Sequence, residues 1–108
     1  MEMNLQKIMQ MTQQLQGRMA EIQEELERKT VSAHAGGGIV EVVTNGKGRV
    51  QKVTIDPSVV DPNDVEMLED LIAAAASEAF RRAQEEMEAQ MRQAAGGLPL
   101  PDLGNLLG

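Results

Sequence analysis

The sequence has no cysteine, no tryptophan and no tyrosine, and only one phenylalanine and one histidine in 108 residues. The missing cysteine excludes disulfides, thiolate metal sites and a cysteine nucleophile. With His34 as the sole imidazole, a histidine-based zinc site or a histidine–carboxylate relay has too few parts. Any core must be aliphatic, drawn from Leu, Ile, Val, Ala and the 8 Met. No run approaches the roughly 18 apolar residues that span a bilayer. Met1–Gln16 is Gln-rich and lacks a basic start followed by an apolar stretch, so it does not read as a signal peptide. The expectation is a cytoplasmic protein with no membrane and no small-molecule substrate as partner.

What is present divides into three segments. From about residue 4 to 29, Leu5, Ile8, Met11, Leu15, Met19, Ile22 and Leu26 recur at steps of three or four, one face of a helix. Asn4 is its N-cap, and Gly17 marks either close packing or a slight bend. From about 30 to 56 the pattern turns β-prone. Thr30–His34, Ile39–Thr44 and Arg49–Ile55 read as strands, separated by Gly36-Gly37-Gly38 and by the hairpin signal Asn45-Gly46. From about 62 to 95 lies a long helix, with Asp61 as N-cap and Pro62 at its first position. Its stripe is Val65, Leu68, Ile72, Ala75, Ala79, Ala83, Met87 and Met91. Residues 98–108, with Pro99 and Pro101, read as a flexible tail, leaving 1–97 as a single domain.

The fold class is therefore α+β: an α-β-β-β-α protomer with a small antiparallel sheet. Three short strands cannot cover both helical stripes. An exposed stripe calls for a second copy, and we expect an intertwined homodimer.

Catalytic chemistry finds little support. Gly36-Gly37-Gly38 lacks the Lys-Ser/Thr of a phosphate loop and precedes a strand instead of a helix. Asp61, Asp64, Glu66, Glu69 and Asp70 do not follow the spacing of an EF-hand loop, and the start of a helix already favours negative charge. The methionines lie on or near the stripes, where adaptable packing accounts for them better than Cu(I) does. We expect no enzyme, metal or cofactor.

The formal net charge of -7 argues against a uniformly basic nucleic-acid binder. Its distribution is more informative. Residues 61–108 hold three Lys/Arg against ten Asp/Glu, whereas residues 35–60 hold three against two. Basic residues stand at Arg18, Arg28 and Lys29, at Lys47, Arg49 and Lys52, and at Arg81, Arg82 and Arg92. They are either phosphate contacts, doubled in a dimer, or solvated charges paired along a helix, as Arg82 with Glu78 or Glu86 and Arg92 with Glu88.

Several stretches together resemble a known family. These are Gly36-Gly37-Gly38-Ile39-Val40-Glu41-Val42, Asn45-Gly46, Val53-Thr54-Ile55-Asp56-Pro57 and Glu66-Met67-Leu68-Glu69-Asp70-Leu71-Ile72. With Gln23-Glu24-Glu25-Leu26 and Gly96-Gly97-Leu98-Pro99-Leu100-Pro101, they are similar to the YbaB/EbfC family of bacterial nucleoid-associated proteins along nearly the whole chain. The resemblance implies a homodimer that binds double-stranded DNA, organises the nucleoid or affects gene expression, and uses no cofactor. It implies that the first and last helices project as a clamp, which favours Arg18, Arg28, Lys29, Arg81, Arg82 and Arg92 as phosphate contacts. It assigns dimerisation to the sheet region, here Ile39, Val40, Val42, Val53 and Ile55 with Leu68 and Ile72. The other reading left by the residues is a helical clamp that binds proteins without touching DNA.

Overall fold

In the computed structural model, which describes residues 4–96, the order is α1 (Leu5–Arg28), β1 (Thr30–Ala35), β2 (Val40–Asn45), β3 (Val50–Ile55), a 3-10 turn (Pro57–Val59) and α2 (Val65–Ala95). The α-β-β-β-α, α+β architecture expected from the pattern is the one observed. The expected tail, 98–108, lies outside the described residues.

The strands form one antiparallel sheet in the order β1-β2-β3. Asn45 closes the second hairpin, its Oδ1 accepting from the backbone N–H of Lys47 at 2.9 Å and of Arg49 at 3.0 Å. The left-handed residue of this turn is Gly48 (φ 87), not Gly46. The Gly48 N–H donates to the Asn45 carbonyl at 3.0 Å, so the connection is a wider turn than a two-residue Asn-Gly turn. Gly46 serves a different end. Its N–H donates to the Leu26 carbonyl at 2.7 Å, and a Cβ there would stand 2.8 Å from that same oxygen. Only glycine lets the hairpin dock this closely on the end of α1.

The register sets the two faces of the sheet. Ala33, Val42 and Val53 form one row, and Ala35, Val40 and Ile55 another. Between them and the turn, β3 carries an irregularity: Val43 pairs with Lys52 but Thr44 with Val50, so Gln51 is an extra residue. The bulge places Val50 and Val53 on the same face although they are three apart.

That face receives α2. Ala75 and Ala79 pack α2 on Ala33, Val40 and Val42, with Leu68, Leu71 and Ile72 at the margin, and Ala83 one turn further on is buried as well. Alanine at four-residue steps allows the helix to approach the sheet closely. The N-cap of α2 is Asp64, whose side chain accepts from the Met67 N–H, and the helix begins at Val65. The expected cap at Asp61, with Pro62 at the first helical position, is therefore corrected by three residues. Asp61 Oδ1 instead accepts from the Asn63 N–H at 2.9 Å, an Asx turn that competes with helix initiation.

The two helices are treated differently. Asn4 caps α1 as expected, accepting from the Lys7 N–H at 2.8 Å. Of the α1 stripe only Ile22 and Leu26 are buried, Met19 is half-buried, and every residue from Leu5 to Arg18 is exposed. Gly17 has no atom within 4 Å of a Cβ built on it, so among the described residues it marks no close packing. The end of α1 is tied to α2 by an ion pair between Lys29 and Glu86. The molecule measures 71 × 31 × 16 Å. At 1.5 Å per residue α2 is about 46 Å long, well short of the 71 Å long axis.

Candidate nucleic-acid interface

The six cations singled out on the helices are all exposed, but they differ in what they face. On α2, Arg81 bonds Glu78 through Nε at 3.0 Å and also pairs with Glu85. Arg82 reaches the same Glu78 through Nε at 3.2 Å, and its Nη1 donates to the Ser32 carbonyl at 2.9 Å. Two guanidiniums on one carboxylate hold Glu78 well below the ordinary value of 4.5, at about 2, with the hydrogen bond from Arg81 the largest cause. Glu78 in return raises Arg81 further above its already high value. Arg92 lies 3.8 Å from Glu88. Lys29 holds Glu86, and its hydrogen bond lowers that carboxyl. On α1, Arg18 lies 3.3 Å from Glu21. Among the described residues, Arg28 takes part in no ion pair.

These pairs are solvent-exposed, so each holds a side chain in place while adding little stability. The i,i+4 pairings Arg82–Glu78 and Arg92–Glu88 expected from spacing are present. Two cross-element contacts, Lys29 with Glu86 and Arg82 with the Ser32 carbonyl, were not legible, since 57 and 50 residues separate the partners.

The residues expected at a subunit contact also separate by environment. Val40 and Val42 are fully buried beneath α2 within the protomer. Ile39, Ile55, Leu68 and Ile72 are half-buried, and Val53 is exposed. Two further apolar residues join this rim. Val50 is 51% exposed and Phe80 49%. Phe80 lies over Gly48, where a Cβ would come within 2.7 Å of its ring. Leu68, Ile72, Ala76 and Phe80 follow one another at four-residue steps along α2, so the flank of α2 and the inner face of β3 make a continuous apolar strip that none of the described residues covers. Val50 belongs to it only through the bulge, which no periodicity reveals; Phe80, the sole aromatic residue, was the available signal.

Among the described residues no three His, Cys, Asp or Glu side chains gather as a metal site, and no helix is long and apolar enough to cross a membrane. Elongated helices with exposed cations, on a small sheet with one uncovered apolar flank, provide surface for a polyanion and for another chain.

Comparison with known proteins agrees with this geometry. A crystal structure of an uncharacterised protein from Helicobacter pylori has the same fold, with a TM-score of 0.76 over 85% of this chain and 97% of that one at 18% identity. A nucleoid-associated protein of Desulfotalea psychrophila is 42% identical over 105 residues, covering 97% of this chain and 99% of the relative. One from Syntrophobacter fumaroxidans is 52% identical over 95 residues, 88% of this chain and 86% of the relative. Residues 1–98 match the YbaB/EbfC DNA-binding family, and the chain belongs to that family of nucleoid-associated, DNA-binding proteins.

Proposed function

We propose that the protein works as a homodimer that binds duplex DNA at the nucleoid of the cytoplasm, with little or no sequence preference, and so organises the nucleoid or affects gene expression. Family membership across residues 1–98 is the observation that carries this reading. The chemistry is consistent with it. With no Trp or Tyr and a single Phe, whose ring lies over Gly48, there is little to stack splayed bases on. Exposed Arg and Lys meet phosphates, and phosphate contacts position a protein without reading sequence. On the helices Arg18, Arg28, Lys29, Arg81, Arg82 and Arg92 are the proposed contacts. The uncovered strip of Val50, Val53, Ile55, Leu68, Ile72 and Phe80, with Ile39 at its edge, is the proposed subunit contact, because an apolar surface of this kind is stabilised by a second copy. Val40 and Val42 support that strip from inside the protomer.

Gel shifts on several unrelated duplexes at two salt concentrations, with the mass measured in solution, test the proposal. A dimer should bind all duplexes similarly, and binding should fall steeply as salt rises. A monomer, or affinity indifferent to salt, would refute it. One observation favours a second reading. Leu5, Ile8, Met11 and Leu15 form an exposed apolar stripe on the projecting part of α1, which suits a protein partner. Partners captured from nuclease-treated lysate and lost on Leu15→Asp would support that reading.

A further inference from the structure

The cations of this protein fall into two populations. On α2 each arginine is interleaved with acid: the helix holds three Arg against seven Asp/Glu, and Arg81, Arg82 and Arg92 all pair with carboxylates. A phosphate arriving there must compete with a carboxylate already paired with the arginine, closely at Arg81 and Arg82 and more loosely, at 3.8 Å, at Arg92. The sheet segment, Thr30–Ile55, holds three Lys/Arg against a single Glu. Among the described residues Arg49 and Lys52 take part in no ion pair, so a phosphate meeting them displaces only water.

Arg49 and Lys52 are both exposed at the β3 side of the hairpin, the edge strand of the sheet. Val50 and Val53 face α2, so Arg49, one residue before Val50, and Lys52, paired with Val43, lie on the opposite face of β3. The Gly46 N–H on the Leu26 carbonyl docks the hairpin against the last turn of α1, which carries Arg28. An open depression at this junction is lined by Glu27, Asn45, Lys47, Gly48, Arg49 and Gln51. Lys47 Nζ is held there by Glu27 at 3.0 Å. Asn45 fixes the backbone of both Lys47 and Arg49, so the loop itself needs no ordering on binding.

We propose that the tip of the β2–β3 hairpin is a DNA-phosphate-binding surface, with Arg49 and Lys52 as its contacts, Arg28 beside them, and Lys47 restrained by Glu27. This rests on the duplex-DNA reading above and moves part of the contact from the helices to the sheet. Each phosphate neutralised contributes about 0.9 to the slope of log affinity on log salt. The double substitution Arg49→Ala/Lys52→Ala should therefore lower that slope by about 2 for each hairpin that touches the duplex, about 4 where both hairpins of a dimer do.

The experiment is fluorescence anisotropy on a labelled 30-base-pair duplex across a salt series. It compares the wild type, Arg49→Ala/Lys52→Ala, Arg81→Ala/Arg82→Ala and Glu27→Gln, each checked for its melting transition by circular dichroism. The hairpin variant should bind about tenfold more weakly at low salt, a larger loss than the α2 variant shows. Glu27→Gln should bind several-fold more tightly, because Lys47 is released; a folding defect cannot produce a gain. If the wild type binds while the hairpin variant keeps both its affinity and its slope, the hairpin assignment is overturned and the DNA reading stands. If the wild type binds no duplex, both are overturned.

Discussion

The two helices carry stripes of the same period, yet the fold uses them oppositely. On α2, Ala75 and Ala79 disappear against the sheet, and Ala83 is buried too. On α1, only Ile22 and Leu26 do, and the larger side chains Leu5, Ile8, Met11 and Leu15 remain exposed. Hydrophobic spacing therefore identifies which face of a helix is apolar, but not what covers it. The difference lies in side-chain size and in anchoring. Small residues let α2 lie flat over β1 and β2. The anchors of α1, the close approach of Gly46 to Leu26, the buried Ile22 and the Lys29–Glu86 pair, all lie towards its C-terminal end.

Substitutions along the stripes break or sharpen this contrast. Leu26→Ala should be the most damaging, at about 2–5 kcal/mol, because it empties a fully buried site that also seats the hairpin. Leu15→Ala, 44% exposed, should change stability by no more than about 0.5 kcal/mol. Urea denaturation of both checks the pair. An equal loss would mean that α1 is covered in solution. Next, Ala79→Leu should cost about 1–3 kcal/mol by forcing α2 away from Val40 and Val42. The same change at Ala73, which is exposed, should cost almost nothing. Asn45→Ala should cost about 1–3 kcal/mol, since it leaves the Lys47 and Arg49 N–H groups without their acceptor beside a buried turn. Faster amide exchange at those two residues is the direct readout.

The fold class was legible because each element carries its own local signal: the 3.6-residue period, β-branched runs, and Gly and Asn at the turns. The N-terminus of α2 was not, because Asp61 and Asp64 are equally good caps by composition and the Asx turn at Asp61 decided between them. The bulge at Gln51 was invisible for a related reason. It breaks the alternation on which strand reading depends, and so hid the shared face of Val50 and Val53. At the site, residue type correctly marked Arg and Lys as exposed. Which of them a carboxylate already occupies depends partly on pairs within one helix, which spacing gives, and partly on pairs such as Lys29–Glu86, which only the packing of α1 on α2 creates. Net charge by segment was the more durable clue, since the basic excess of the sheet survives the pairing.

The smallest expected effect is also the most local. Glu78 is held at about 2 by Arg81 and Arg82, against an ordinary 4.5. A carboxyl depressed in the folded state contributes its stabilisation in full above about pH 4.5 and loses it as pH falls towards 2. Exposure and salt screening keep that contribution small, so the melting temperature should move little over this range. The titration itself should be clear. In a carboxyl-detected NMR titration, Glu78 should show its midpoint near 2. Arg81→Ala should return most of the Glu78 midpoint towards 4.5, and Arg82→Ala less, because the Arg81 hydrogen bond is the largest cause. If Arg82→Ala moves it more, the carboxylate is held from the sheet side of α2, where Arg82 also bonds Ser32, and the division between occupied α2 cations and available hairpin cations must be redrawn around Arg81.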